Sequence, residues 1–515
     1  MRVLRARDAA GLIRDGNTLA SSGFRFAAAP EELLAAIGER FRSEGRPRDL
    51  SLVFSSAQGD NEGHGLDHLA RPGMLRRVVG GFFGTTPQLR DLFIRNEIEA
   101  YNLPQGQIAQ LYRAIAAGLP GVVTHVGLHT YVDPRIEGGR LNARTQEDIV
   151  EVVQIGGREW LLYRAFPIDV ALIRGTTADE LGNISIEKEA VRMEGLPLAQ
   201  ATRNSGGLVI VQVERLVRSR SIHPQRVEIP GHLVDVVCVS ERPAETHQQA
   251  LGEPYNPAYS GEVQVPVGHL PELPFGPRKV IARRAARELC PGTVVNLGQG
   301  IPEGIGLVAS EWGLLDQVWL SLESGVIGGV PTKHVNFGVS VNPMAITRHD
   351  DQFAFYNGGG VETTFLGFAQ IDGTGAVNVS KFGGQFIGGG GFIDICMCAK
   401  RLVLCGQFDA GGTEYDLSAG RLRIVRAGRH RKLVERVEQV TFSGHHAVAA
   451  GRRVTLVTER AVFELAGDGW VLTEVAPGVR VREDILDVIG FVPRVDGPRP
   501  MENWIFQPDG APASA

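Results

Sequence analysis

One short passage is written twice in this chain, and that repeat limits the fold more than any other feature. GNTLASSGFRFAAAPEELL starts at Gly16 and GTVVNLGQGIPEGIGL at Gly292. Each is a short apolar strand, a glycine turn, then Pro-Glu opening a helix, with Pro30 or Pro302 at its start. The second copy is four residues shorter between its first glycine and its proline. A later pair agrees: ADELGNISI from Ala178 and IDGTGAVNVS from Ile371 place an Asp three residues before a Gly at a constant offset of 193. Between Gly252 and Pro277 stand Pro254, Pro257, Pro266, Pro271, Pro274 and Pro277 with almost no helical periodicity, the mark of an extended linker. The 515 residues exceed what one core holds, since single cores stop growing near about 300 residues. The expected organisation is an N-terminal domain over 1–251, a linker over 252–277 and a C-terminal domain over 278–515.

Apolar runs such as LVIVQV (208–213), VDVVCV (234–239) and RLVLCG (401–406) are too continuous for strands wetted on one face. Helical stretches such as IARRAAREL (281–289) fall between them. The fold class is therefore α/β: two fused, divergently repeated open domains with mainly parallel sheets, binding ligands at the carboxyl ends of their strands. From about 420 to 480, VTFSG and RVTLVTERAVFEL add an antiparallel, β-rich character.

The net charge of -5 offers no broad attraction for phosphate backbones, so nucleic acid is not an expected partner. No apolar run reaches the roughly 18 residues that span a bilayer, and the N-terminus lacks a signal-peptide core. No membrane partner is expected, and the reading is cytoplasmic. Cys238, Cys290, Cys396, Cys398 and Cys405 form no C-x-x-C pair and read as buried small residues in a reducing compartment. His64 and His68 have helical metal-ligand spacing, but Gly65 stands where a zincin has Glu, and no metal site is assigned.

The segment QVWLSLESGVIGGVP, 317–331, ends an apolar strand in a carboxylate followed by glycines, placing Glu323 where open α/β sheets bind ligands. Taken alone, a Glu in such a place is more often a turn or capping residue. The GQGIPEG turn from Gly298 approximates a dinucleotide fingerprint, with Glu323 on a ribose. The spacing is instead G-x-G-x-x-x-G, and Glu303 in the first helical turn would oppose a pyrophosphate, so no nicotinamide or flavin is expected.

ESGVIGGVP after VNLGQGIPEGIG, with SGFRFAAAPEELL, AYNLPQG and RGTTADELGNISIEKEA, resembles the acetate and propionate branch of the family I coenzyme A transferases, over nearly the whole chain. The resemblance implies paired α/β domains and a nucleophilic Glu that maps onto Glu323, forming a thioester with CoA. It maps Gln105 onto an N-terminal-domain Gln that reaches the catalytic carboxylate. Backbone amides near Gly300 and Ile301, and in the run Gly388 to Gly391, are implied oxyanion donors, with Gly390 and Gly391 both open. CoA is then a substrate rather than a cofactor, and the partners are an acyl-CoA and a carboxylic acid, by default short-chain. A homodimer or homotetramer is also implied. Ala28-Ala29-Pro30 in the first copy stands where the second has Gly300-Ile301-Pro302, so the first loop is expected to shape the acyl pocket and leave CoA to the C-terminal half. Two alternatives share the fold: an acyl-CoA hydrolase and a non-catalytic ligand sensor. Retention of Glu323 and its glycines speaks against both.

Overall fold

The structure, a computed structural model, describes residues 1–266 and 272–512. Residues 267–271 of the expected linker and 513–515 of the expected C-terminal domain lie outside the described residues. An eight-stranded sheet runs in the order Arg2–Val3, Val236–Val239, Leu208–Val213, Val170–Arg174, Thr18–Ser21, Leu50–Phe54, Leu75–Gly80, Glu99–Asn102. Every pairing in it is parallel. Val170–Arg174 and Leu50–Phe54 are buried at every residue, as strands covered by helices on both faces must be.

A ten-stranded sheet in the second half has five parallel strands at its centre: Trp319–Ser321, Val294–Leu297, Thr363–Leu366, Arg401–Cys405 and Arg453–Val457. These repeat the first sheet in chain order and lateral order. The strands starting at Val170 and Thr363, and at Leu208 and Arg401, share the offset of 193. The two aspartates of the repeat also do the same work. Asp179 accepts the amides of Leu181 and Asn183 at 2.9 and 3.0 Å, and Asp372 those of Thr374 and Ala376 at 2.9 and 3.2 Å. Each carboxylate thus reinforces a hairpin turn that backbone hydrogen bonds also close.

The helices Glu31–Glu44 and Glu303–Glu311 follow the two glycine turns, and Pro30 and Pro302 occupy the cap positions rather than the first helical residues. Arg453–Val457 continues antiparallel into Ala461–Ala466 and Gly469–Val475. VTFSG is not a strand: Phe442 makes one bridge to Val377, and the helix Gly444–Ala449 begins two residues later. The helix expected over 281–289 is Pro277–Ala286, so it starts on the last proline of the expected linker.

The halves share their cores. Phe24, Ala27 and Ala28 pack with Val280, Val295 and Ile305, while Ile393 packs with Leu103 and Ile108. Cys238, Cys396 and Cys405 are buried, but Cys290 and Cys398 are half-buried; all five thiols are free. His64 Nδ1 lies 2.6 Å from Asp60 and His68 Nε2 2.7 Å from Glu31, so each imidazole is already held by a carboxylate. Among the described residues, no His, Cys, Asp and Glu cluster has the arrangement to hold a metal ion, and no helix is long and apolar enough to cross a membrane.

Candidate active site

Glu323 stands two residues past Trp319–Ser321, where the chain reverses into Val326–Ile327. Gly325 makes the reversal with φ +99°, and a Cβ there would lie 2.2 Å from the Thr347 carbonyl, so only glycine fits. The buried Ser324 hydroxyl, donating to the Gly338 carbonyl at 2.5 Å, fixes the turn. The Glu323 carboxylate thereby enters a cavity of about 440 Å³ between the halves.

The opposite wall comes from the first half. Gln105 opens the helix Gln105–Ala116, directly beyond the strand Glu99–Asn102. Its side chain donates a hydrogen bond to Glu323. Its amide nitrogen is 2.9 Å from His349 Nε2, and His349 Nδ1 is 3.0 Å from Glu194 Oε2. Glu194 in turn accepts from the Ser55 hydroxyl at 2.6 Å. Gln105, His349 and Glu194 are all buried, so this row of side chains fixes the Gln105 amide with little rotational freedom.

The four glycines Gly388 to Gly391 form a packed wall. Gly388 and Gly390 have φ of +85° and +57°, and their amides donate to the carbonyls of Ser380 and Gly81 at 3.2 and 2.8 Å. The Gly389 amide donates to Asn102 Oδ1 at 2.9 Å, while the Gly390 carbonyl accepts the Gln105 backbone N–H at 3.0 Å. Among the described residues the Gly391 amide has no acceptor. A Cβ on Gly391 would lie 2.3 Å from Glu323 Oε2, so the carboxylate rests directly against this residue. The two glycines left open by the sequence therefore differ: Gly390 has its N–H engaged, and Gly391 has it available.

Gly300, with φ +93° and nothing within 4 Å of an added Cβ, also lines the cavity. Ile301 lines instead an adjoining cavity of about 730 Å³. Glu323, Gln105, Gly300, Gly390 and Gly391 thus meet in one space, and Ile301 lies next door.

Burial pushes the Glu323 carboxyl up to about 6, against the opposing pull of His349, Arg25 and the Gln105 hydrogen bond. Burial also works against a charge on His349, but the carboxylates of Glu194, Glu323 and Asp350 outweigh it and raise its pKa. Arg25 is the residue that sequence reasoning missed on the cavity wall. It sits in the quoted SGFRFAAAP passage, yet the repeat gave no reason to separate it from its neighbours. His349 was missed as well, because only the folded chain brings its helix, His349–Asn357, against Gln105.

Comparison with known proteins shows the family. Residues 3–240 match the family described as Coenzyme A transferase. A caffeate CoA-transferase of Acetobacterium woodii is 42% identical over 511 residues, covering 98% of this chain and 97% of its own length. The acetate CoA-transferase YdiF of Escherichia coli K12 is 40% identical over 495 residues, covering 95% and 92%. The crystal structure of acyl-CoA transferase YdiF from Escherichia coli O157:H7 superposes with a TM-score of 0.92 at 38% identity, over 99% of this chain and 96% of that one. The same enzyme has been solved as a thioester complex with CoA, with the same score, identity and coverage. The chain belongs to the coenzyme A transferase family and catalyses the transfer of coenzyme A.

Proposed function

We propose that Glu323 is the nucleophile and carries CoA as a glutamyl thioester between two half-reactions. The observation that carries the reading is the carboxylate itself, at the end of a central strand, pressed against Gly391 and bonded across the cavity to Gln105. A carboxylate is the fitting nucleophile because the enzyme thioester and the substrate thioester are then close in free energy, and transfer runs either way. Glu323 attacks the acyl-CoA carbonyl, CoA thiolate leaves, and a mixed anhydride forms. The thiolate then attacks the glutamyl carbonyl, releasing the first acid and leaving Glu323-CoA. The second acid reverses both steps.

Each attack creates a tetrahedral oxyanion, and donors already aimed at it are worth roughly 3 kcal/mol apiece. The unengaged Gly391 amide and the Gln105 side chain are assigned this role at Glu323, and the Gly300 amide is assigned to the acyl side. Gly390 supports by accepting the backbone N–H of Gln105 at its carbonyl. The adjoining cavity shares Phe368, Ala369 and Phe382 with the first and carries Arg278, Arg429, Arg431 and Lys432. It suits the pantetheine arm and phosphates of CoA, with Ile301 beside the arm.

The acid is proposed to be a short-chain carboxylic acid, set among Phe24, Phe82, Phe337 and Phe392. Relatives are named for acetate and for caffeate, so the acceptor screen includes both. The same reading divides the chain into domains 1–251 and 278–515, and it keeps a cytoplasmic homodimer or homotetramer as its setting. Five free thiols suit a reducing compartment.

The test is mass spectrometry after incubation with acyl-CoA and no acceptor. The peptide containing Glu323 gains the mass of CoA less water, and Glu323→Gln shows neither adduct nor turnover. Wild-type transfer by Glu323→Gln would overturn the assignment, and acceptor-independent hydrolysis by the wild type would favour the hydrolase.

A further inference from the structure

A glutamine side chain presents a donor at one end and an acceptor at the other, so the use of Gln105 as an oxyanion donor requires something to fix which end faces Glu323. The Glu323 anion only accepts, which puts the Gln105 nitrogen on it. The same nitrogen is 2.9 Å from His349 Nε2, so its two hydrogens are divided between Glu323 and the imidazole. The Gln105 oxygen is turned toward Gly390, 3.8 Å from where a Cβ would stand there, and among the described residues no side chain donates to it. Once Glu323 is a thioester, its charge no longer attracts the donor. His349 is then left to hold the orientation.

That contact works in one protonation state only. A bare Nε2 accepts from the amide, whereas a protonated Nε2 is a donor facing a donor. The surroundings place the neutral ring's proton on the other nitrogen: His349 Nδ1 is 3.0 Å from Glu194 Oε2, at the cap of the helix Gly195–Asn204. Burial opposes charge on Glu194, but His349 and the Ser55 hydroxyl outweigh it and hold its carboxyl below the ordinary value. The ring is fully buried, edge-on to Phe353 and Phe24 at 4.9 and 6.4 Å between centroids. We propose that His349 is a positioning residue for the half-reaction in which the acceptor acid attacks Glu323-CoA: its bare Nε2 accepts one N–H of Gln105 and aims the other at the glutamyl carbonyl, where the oxyanion forms. A proton on Nε2 turns the amide over and withdraws the donor. The proposal rests on the reading that Glu323 carries CoA. Burial opposes that proton, while Glu194, Glu323 and Asp350 favour it. Asp350 is shared with Arg113 and Arg348, and Arg25 bears on Glu323. Asp394, on the helix Phe392–Cys398, accepts the Gly106 amide beside Gln105, and burial keeps the Tyr112 phenol near Glu194 neutral. In the thioester the Glu323 charge is gone, which shifts the balance toward the bare Nε2.

The experiment isolates that half-reaction. Enzyme is converted to the CoA adduct with propionyl-CoA, freed of small molecules and mixed with saturating acetate, and decay of the adduct is followed by rapid quench and mass spectrometry from about pH 5 to 8, where imidazoles charge. Acetate stays mostly ionised over this range, and the thioester has no carboxyl to titrate. The wild-type rate should fall on the acid side toward a plateau about a hundredfold lower, the effect of losing one oxyanion donor. His349→Gln keeps a neutral acceptor, so it should stay within about tenfold of the wild-type alkaline rate and lose the acid step. His349→Leu should be about a hundredfold slow at every pH. Gln105→Ala has no amide to turn: it should be slow and without the step, and adding His349→Leu should lower it by less than about threefold further. A wild-type rate flat with pH overturns the proposal, as does an acid step that persists in Gln105→Ala or a double variant whose losses multiply. Retention of the step by His349→Gln also overturns it, since another group such as Asp394 would then own the titration. If no His349 variant folds, judged by its melting transition, the wild-type and Gln105→Ala profiles decide alone. Absence of any adduct in the wild type would instead sink the Glu323 reading, a distinguishable failure.

Discussion

As the proposed nucleophile Glu323 must be an anion to attack, and its surroundings pull its proton affinity in opposite directions. Burial raises the carboxyl to about 6, while His349, Arg25 and the Gln105 amide stop it rising further. At neutral pH most of the enzyme is therefore ready without a general base. Acid removes the nucleophile. Below a pH of about 6, kcat/KM for acyl-CoA should fall by about tenfold per unit, above it the profile should level, and stopped-time assays at saturating acceptor would show it. An inflection near 4.5, the ordinary value for a Glu, would mean that burial does not govern this group. Glu323, the proposed nucleophile, was singled out in the sequence because strand, carboxylate and glycines are contiguous and the family resemblance maps its catalytic Glu onto them. Arg25 and His349 were not, since no spacing rule relates them to Glu323 and each reaches it only through the packing of other elements.

At the scale of elements, the strands and the two Pro-Glu helices were readable because buried parallel strands are uninterrupted apolar runs and prolines mark helix starts. The glycine run was ambiguous for a physical reason: four glycines specify freedom, and only their partners turn freedom into a fixed wall. Two of them separate strain from contact. Gly391 has an ordinary φ of -80°, so Ala is conformationally allowed, but its Cβ would lie 2.3 Å from Glu323 Oε2 and 2.8 Å from Phe353. Gly390 has φ +57°, and its added Cβ would meet nothing closer than 3.5 Å. Gly391→Ala should displace the carboxylate by about 1 Å and lower kcat/KM by about a hundredfold or more. Gly390→Ala should act mainly on stability, by about 1 to 2 kcal/mol of left-handed backbone strain. Kinetics and thermal melts of both variants measure the two effects separately, and the reverse ranking would mean that Gly391 does not abut the nucleophile.

For the whole molecule, the site exists only because the halves are locked together, and the lock lies under Gln105. The helix that starts at Gln105 follows a strand of the first sheet, yet its anchors belong to the second half. Asp394 Oδ2 accepts the Gly106 amide at 3.0 Å and Oδ1 accepts the Gln107 side chain at 2.7 Å. Farther along, Gln110 donates to the Asp350 carbonyl at 2.6 Å and Arg113 pairs with the Asp350 carboxylate at 2.5 Å. Nothing in the sequence joins these residues, so this closure was illegible before folding. Asp394 offers a handle on it. Burial pushes its carboxyl up to about 7, with Gln107, Gly106 and Asn357 opposing and the Glu323 charge adding to the rise. In the unfolded chain the same group titrates near about 3.9. Between those values the folded protein holds a proton that the unfolded chain has lost, so stability falls as pH rises, until the folded group also ionises. The sign is opposite to that of an Asp in an ion pair. Measured in a Glu323→Gln background, which removes the raised carboxylate that interacts with Asp394, the melting temperature should decline from pH 5 to about 7 and then level. Adding Asp394→Asn removes that titration and should flatten the decline, while the amide, which cannot accept from both Gly106 and Gln107, lowers stability by about 1 to 3 kcal/mol at every pH. The difference in melting temperature between the two proteins should therefore shrink as pH approaches 7. A constant difference across the range would show that Asp394 is ionised in the closed molecule and that the lock is held by charge.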